Sequence, residues 1–485
     1  MMQAETPCLT LSTTFESPNM KSLSALLAVL FLLTCGHSDA QTLPRKVMFG
    51  VATRPLDEAT ANAQRIKLGE GVLVNMVVAN STAASMGVKA GDVIASINQA
   101  TFKTHEEVAA FARQLRVGDR LEIAVISNGI KSSRIGVAMG RPLETSDFAE
   151  VRYDAVDYEL GTLRTIIHIP KGRIHSGKLP TIFYLQGYPC SAQEFLPDSK
   201  AAAKRAIDDW VKAGYVVFRV ERPNLNDSLT TKDCRDTDFD EELSSNIAAY
   251  KKLLTYEFVD TRNVFLFGHS LGSVTAPMLA QVHQPKGIIA YGVVLRSWFE
   301  YFIDIHRVQS LHYGTSLVEA ERTARALIPI YFEWLENNKS PQQLVQNPVF
   351  RELIESPDNP MGLAGDYAYG RHHRFWSTMN KKHLSEAWSK VNGKVLAMYG
   401  EFDVQAINEV DARNIAALVN ENHPGNGKYL LLKNTEHSFL NASSYADSIK
   451  IAELRKNGKS NENDYNPEFG QQTVAWLNAV RDYQP

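Results

Sequence analysis

Beyond about position 160 the chain alternates short, wholly apolar runs with longer stretches whose apolar residues recur every three or four positions. TIFYL (181–185), YVVFRV (215–220), VFLF (264–267), and the runs at 287–295, 394–399 and 428–432 have the continuous apolarity of strands covered on both faces; 162–169 alternates more weakly toward a strand. Between them lie helical patterns at 201–213, at 239–258 with Leu243, Ile247, Tyr250 and Leu254 on one stripe, and at 273–282. A long helical region covers 298–391, and a last helix opens at Asn466-Pro467 and buries Phe469, Val474, Leu477 and Val480. Strand and helix in alternation predict an α/β fold built on a doubly wound, mostly parallel sheet.

The texture before position 142 differs. Apolar runs at 71–78, 87–97 and 121–126 flank a helix predicted over 104–115, where Thr104 and Glu107 stand at capping-box spacing and Val108, Phe111 and Leu115 share a face. This is a small α+β unit spanning 45–142, and 143–156 reads as a linker into a larger unit at 157–485. A chain of 485 residues accommodates two or three domains.

Charge and composition narrow the function classes. The net charge of -3 with 22% charged residues shows no basic excess of the kind nucleic-acid binding needs. Met20 and Lys21 precede the apolar run LSALLAVLFLL (23–33), followed by Ser38-Asp39-Ala40. A positive start, a short apolar core and small residues at a cut site predict a signal peptide; a spanning helix needs about 20 apolar residues. Cleavage is expected after Ala40, making 1–40 an extension plus signal segment and the mature protein periplasmic or secreted. Cys35 resembles a lipoprotein cysteine, but Thr34 occupies a place where Gly, Ala or Ser is usual. Cleavage leaves Cys190 and Cys234, and an oxidising compartment permits a disulfide between them.

The chemistry centres on 263–272, NVFLFGHSLG. Gly268, Ser270 and Gly272 form G-x-S-x-G between a buried strand and a helix, where a sharp turn strains the central residue and demands small flanking ones. A serine hydroxyl needs a base, and the base an orienting acid, both expected on the loops after later strands. Asp403, in the Gly400-Glu401-Phe402-Asp403 turn, is the expected acid, with Glu401 its rival; His437, after the final strand, is the expected base. His372 and His373 compete but fall within the helical insertion, as residues that could meet substrate. The oxyanion donors are expected to be the N–H of Leu271 and, from the loop 186–190, the N–H of Tyr188. The acidic run at 233–242 reads as a solvated loop and helix start, with Asp238, Asp240 or Glu241 holding a substrate amine as the alternative. No metal-ligand cluster, phosphate loop or nucleotide fingerprint is present in the sequence, so no cofactor is expected.

On these residues 157–485 resembles the α/β-hydrolase superfamily: Gly268-His269-Ser270-Leu271-Gly272 as nucleophile elbow, Gln186-Gly187-Tyr188-Pro189 where H-G-x-P usually stands, the acid loop ending at Asp403, and His437. The resemblance implies a helical cap over about 298–391. It also implies that the strands ending at Leu185 and Val220 are neighbours, which would bring Cys190 and Cys234 within bridging reach. Gln186 departs from the usual histidine, Ser273 from a frequent glycine, and the Arg222-Pro223-Asn224 turn lacks the usual glycines. Residues 87–94, GVKAGDVI, and Gly71-Val72-Leu73-Val74 resemble a PDZ domain of the type attached to bacterial periplasmic serine proteases, with Gly71, Val72 and Leu73 expected to receive a peptide or free C-terminus.

The expected function is an exported serine hydrolase cleaving carboxylic esters or thioesters through an acyl-enzyme on Ser270. A serine peptidase is the catalytic alternative and a peptide-binding scaffold the non-catalytic one. The expected partners are a small ester or peptide substrate and a peptide at the first unit, with neither nucleic acid nor a membrane span.

Overall fold

A computed structural model describes residues 43–173, 177–197, 199–456 and 464–482; the expected signal segment and its cut site lie outside the described residues. The first unit is an antiparallel sheet of β1 (Val51–Pro55), β2 (Val72–Val77), β3 (Val93–Ile97), β4 (Arg120–Ser127) and β5 (Ile130–Val137), in that spatial order. Its helix His105–Gln114 starts as the spacing requires: the Thr104 hydroxyl accepts from Glu107 N–H at 3.3 Å and the Glu107 carboxylate accepts from Thr104 N–H at 3.3 Å. Val72, Val74, Ile94, Val108, Leu121 and Ile123 close the core of this unit.

The second unit contains β6 (Ala149–Tyr158), β7 (Gly161–Pro170), β8 (Leu179–Leu185), β9 (Val216–Val220), β10 (Leu229–Thr230), β11 (Val259–His269) and β12 (Gly287–Tyr291). A cap follows, carrying the short strands β13 (Leu363–Ala364), β14 (Tyr367–Ala368) and β15 (Arg371–His372), and the sheet is completed by β16 (Lys394–Gly400) and β17 (Gly427–Leu432). The main sheet runs β10-β7-β9-β8-β11-β12-β16-β17, with β6 paired to β7. From β9 to β17 every pairing is parallel; β6, β7 and β10 form an antiparallel margin.

The unbroken apolar strands have a direct cause. Along β11, Val264 and Leu266 face one core, shared with helices Phe239–Leu253, Gly272–Ala280 and Val410–Asn422; Phe265 and Phe267 face the other, shared with Ala202–Lys212 and Pro467–Val480. With helices on both faces, neither set of side chains meets water.

Two expectations change. Residues 149–156 are not linker: β6 pairs with β7 from Ala149↔Pro170 to Tyr158↔Gly161, a tight hairpin that starts the larger sheet eight residues before 157. Its mixture of apolar and charged residues suits a sheet margin that is partly exposed, which is why it lacks an apolar run. The cap, expected as helical, also contains the three-stranded sheet β13–β15, whose two-residue strands are too short to show a period of two and are joined around Gly365 and Gly370, both at positive φ.

The segment entering the first unit is pinned to the second. Arg45 pairs with Asp227 at 2.5 Å, Lys46 N–H donates to Asp227 at 2.9 Å, and the buried Arg164 donates to Leu43 O at 2.6 Å. On the exit side Arg141 pairs with Glu194 at 3.1 Å.

Candidate active site

Ser270 follows β11 with φ +53, in the left-handed region that only a forced turn imposes on serine. Its N–H donates to Tyr291 O at 2.8 Å, tying the turn to the end of β12. A Cβ at Gly268 would lie 2.6 Å from Gly272 O, and one at Gly272 would lie 2.1 Å from Leu185 O, so neither position tolerates any side chain. Glycine is therefore required by contact at both, while the strain itself is carried by Ser270.

Asp403 is fully buried after β16, and its carboxylate accepts from the N–H groups of Gln405 at 2.9 Å and Ala406 at 2.8 Å. It also faces His437 Nδ1 at 2.8 and 2.9 Å. Glu401, the rival carboxylate, points elsewhere: it binds Lys433 at 2.8 Å and Asn434 N–H at 3.0 Å. Burial alone would depress the His437 pKa, but the charge and hydrogen bonds of Asp403 outweigh it and hold the imidazole above the ordinary 6.5. Nδ1 keeps its proton toward Asp403, which leaves Nε2 as the basic nitrogen. Among the described residues the Ser270 hydroxyl makes no hydrogen bond; such contacts often tighten only when substrate binds.

Several contributors are invisible in a one-dimensional reading. Gly292, at φ +66, clears the space under the pair: a Cβ there would sit 2.7 Å from His437 Cε1 and 3.2 Å from Asp403 Oδ2. His269 donates from Nε2 to His437 O at 2.8 Å, and burial, reinforced by the nearby His437, lowers its pKa to about 3, so it stays neutral and braces the loop of the base. Glu436 is buried beside His437 and accepts from Ser438 N–H at 2.7 Å and Leu440 N–H at 3.1 Å, shaping the same loop.

The 186–190 loop approaches Ser270 so closely that a Cβ on Gly187 would lie 3.3 Å from Ser270 Cβ. Its carbonyls are held by two buried guanidiniums. Arg222 donates to Gly187 O and Pro189 O, Arg371 donates to Tyr188 O at 3.1 Å, and both arginines share Glu242. Arg222 thus stands in the turn that departs from the common glycine-rich form and does a positioning job there. Cys190, at the end of the loop, is disulfide-bonded to Cys234 with the Cα atoms 5.9 Å apart. Neither Tyr188 N–H nor Leu271 N–H finds a protein acceptor among the described residues.

Other expectations fare differently. Asp238 caps helix Phe239–Leu253 together with Glu241, and Asp240 pairs with Lys382, so this acidic run is occupied by structure. His372 caps helix His373–Asn380 and neither His372 nor His373 reaches the cavity beside Ser270. That cavity, about 260 Å³, lies between Ser270 and the cap. A further one of about 390 Å³ lies on the other side of the loop, bordered by Gly187, His269, Ser438 and Arg455.

Residues 47–133 match the family model described as PDZ domain. The first unit is a PDZ domain. Curated relatives include a probable periplasmic serine endoprotease DegP-like protein of Buchnera aphidicola, 31% identical over 86 residues, or 18% of each chain. The magnetosome formation protease MamE of Magnetospirillum gryphiswaldense is 34% identical over 18% of this chain and 11% of its own. The periplasmic serine endoprotease DegP of Escherichia coli K12 is 31% identical over 16% and 17%. The chain thus spans less than a fifth of the length of each curated relative named here. Among solved structures, Est1E of Butyrivibrio proteoclasticus is similar at TM-score 0.39 and 12% identity, over 67% of this chain and 99% of its own. The acylaminoacyl peptidase of Pyrococcus horikoshii is similar at 0.41 and 11%, over 76% and 49%. The strand order, the elbow after β11 and the cap between β12 and β16, rather than these scores, give the second unit its α/β-hydrolase fold.

The structure corrects the PDZ domain's expected peptide site. Gly71, Val72 and Leu73 are not at an open edge: β2 pairs with β1 on one side and with β3 on the other, through Val72↔Ile94 and Leu73↔Val93. Gly71 serves packing, since a Cβ there would lie 2.5 Å from Ile94 O. Strand addition needs unpaired N–H and C=O groups, and the margin beside helix His105–Gln114 belongs to β1.

Proposed function

We propose that this protein is an exported serine hydrolase that cleaves carboxylic esters through an acyl-enzyme on Ser270. The observation that carries the reading is the buried Asp403–His437 pair, at 2.8 Å, set against Gly292 at the end of the strand that also anchors the strained Ser270 turn. In the first step Ser270 Oγ bonds to the ester carbonyl carbon while its proton passes to His437 Nε2, and Asp403 stabilises the resulting imidazolium. The carbonyl oxygen takes up the negative charge and is held by the N–H groups of Tyr188 and Leu271. Collapse breaks the carbon–oxygen bond to the alcohol, which leaves with the proton from Nε2. Water then attacks the acyl-enzyme by the same route, releasing the acid and restoring Ser270.

The segment at 20–40 supports export, and the curated relatives named above as periplasmic fit it. The PDZ domain would bind an extended peptide along β1. Among the described residues no helix is long and apolar enough to cross a membrane.

The test is turnover of short p-nitrophenyl esters against aminoacyl and dipeptidyl amides, with fluorophosphonate labelling of the wild type and of Ser270→Ala. Ester hydrolysis and labelling that both vanish in Ser270→Ala are expected. Amide cleavage without ester cleavage would replace the reading with a peptidase, and an unlabelled wild type with a scaffold.

A further inference from the structure

The cavity between Ser270 and the cap is built from an unusual set of side chains. Tyr188, Trp298, Tyr301, Phe302, Tyr369 and Trp376 are among its lining residues, which include no Asp, Glu, Lys, Arg or His. The rings are fixed against one another: Trp298 and Trp376 stack with centroids 5.8 Å apart, and Phe302 lies 5.3 Å from both Trp376 and Tyr369. Such a wall is a rigid slot for a flat ring, because stacked aromatics lose little freedom on receiving another. The volume, about 260 Å³, lies just under the roughly 300–1,000 Å³ of ordinary ligand sites, which favours one ring with a short arm over a long alkyl chain.

Two polar groups at the rim are already engaged. Tyr301 donates its hydroxyl to Gln405 O at 2.6 Å, and Gln309 Nε2 donates to Val404 O at 3.0 Å. Trp298 differs: it is 6% exposed, it lines the cavity, and its indole N–H is buried with no hydrogen-bond partner among the described residues. A buried donor left unpaired is costly, and native structures usually satisfy it with water or a ligand.

We infer that the arm of the substrate seated under the cap is an uncharged aromatic group bearing a hydrogen-bond acceptor, such as an ether or hydroxyl oxygen, which the Trp298 indole N–H engages. This rests on the ester-hydrolase reading and narrows it. A protonated amine or a carboxylate entering the slot would shed its water and meet no charged side chain among the lining residues, so α-amino esters and half-esters of dicarboxylic acids are disfavoured by the same wall.

The full chain is assayed with methyl esters of 3-(4-methoxyphenyl)propanoic acid, its 4-methyl counterpart, phenylalanine, and a half-esterified aromatic dicarboxylic acid, beside acetate esters of the matching aryl alcohols and p-nitrophenyl acetate. Neutral aryl esters are expected to exceed both charged ones at least 100-fold in kcat/KM. The methoxy compound is expected to exceed its methyl counterpart by roughly 5- to 10-fold, the worth of one hydrogen bond, and Trp298→Phe to bring that ratio to about 1. As a second measurement, methyl and methoxy aryl phosphonates compete with fluorophosphonate on the wild type, where the same ratio is expected. Turnover that depends on Ser270 but treats charged and neutral esters alike, or a ratio unchanged in Trp298→Phe, overturns this inference and spares the hydrolase reading. Absence of Ser270-dependent turnover of any ester overturns both.

Discussion

Replacing Gly292 by alanine adds a single methyl group at a place where the packing leaves no room for it. The new Cβ would lie 2.7 Å from His437 Cε1, 2.9 Å from Nδ1 and 3.2 Å from Asp403 Oδ2. Carbon atoms prefer roughly 3.5–4.0 Å, so the imidazole must retreat by about 0.8 Å or the strand end must shift. The backbone adds its own cost: φ is +66, where a residue with a Cβ loses about 1–2 kcal/mol. A displacement near 1 Å between base and nucleophile reduces turnover on the order of 100-fold. Gly292→Ala is therefore expected to fold, with a thermal midpoint lowered by a few degrees, as about 1–2 kcal/mol implies for a protein of this size, and with kcat falling more than KM rises. The measurement is kcat/KM on a short ester beside the rate of fluorophosphonate labelling and a melting curve. Activity within twofold of the wild type, in a protein whose melting point has dropped, would refute the claim that Gly292 clears space for a working base.

Three further outcomes follow. His437 is raised above 6.5, and it must be neutral to accept the Ser270 proton, so kcat/KM is expected to rise with pH through a midpoint above 6.5; in Asp403→Asn the midpoint should fall along with the rate. The raised value also stabilises the fold fully below pH 6.5 and loses that contribution as pH climbs through the folded pKa, so the melting point should decline slightly across the same window. The disulfide joins residues 44 apart, and Cys234→Ser is expected to cost up to about 4 kcal/mol in urea unfolding by loop-closure entropy, together with lower kcat because Cys190 ends the 186–190 loop; an unchanged unfolding midpoint would show the bond to be incidental.

What the sequence by itself determined was whatever local pattern and chain order express. Continuous apolar runs named the buried strands because helices cover both faces of the main sheet, and G-x-S-x-G marked its turn because contacts of 2.1 and 2.6 Å forbid any side chain at either glycine. The proposed acid and base, Asp403 and His437, were legible as residues lying just past strand ends, and Thr104 with Glu107 declared a helix start through bonds only three residues long. Pairing across the chain decided the rest. Whether 71–73 offers a peptide an open edge depends on β3, twenty residues on; whether 149–156 is linker or strand depends on β7. The choice of Asp403 over its rival Glu401 gains contacts only in three dimensions, where Lys433 engages Glu401 and His437 engages Asp403. Gly292, His269, Arg222 and Arg371 carry no motif, because each acts on atoms far away in sequence, and Trp298 reaches the cavity beside Ser270 only through the fold of the cap. Local propensity is written residue by residue, whereas space, burial and unpaired donors come into existence only where distant segments meet.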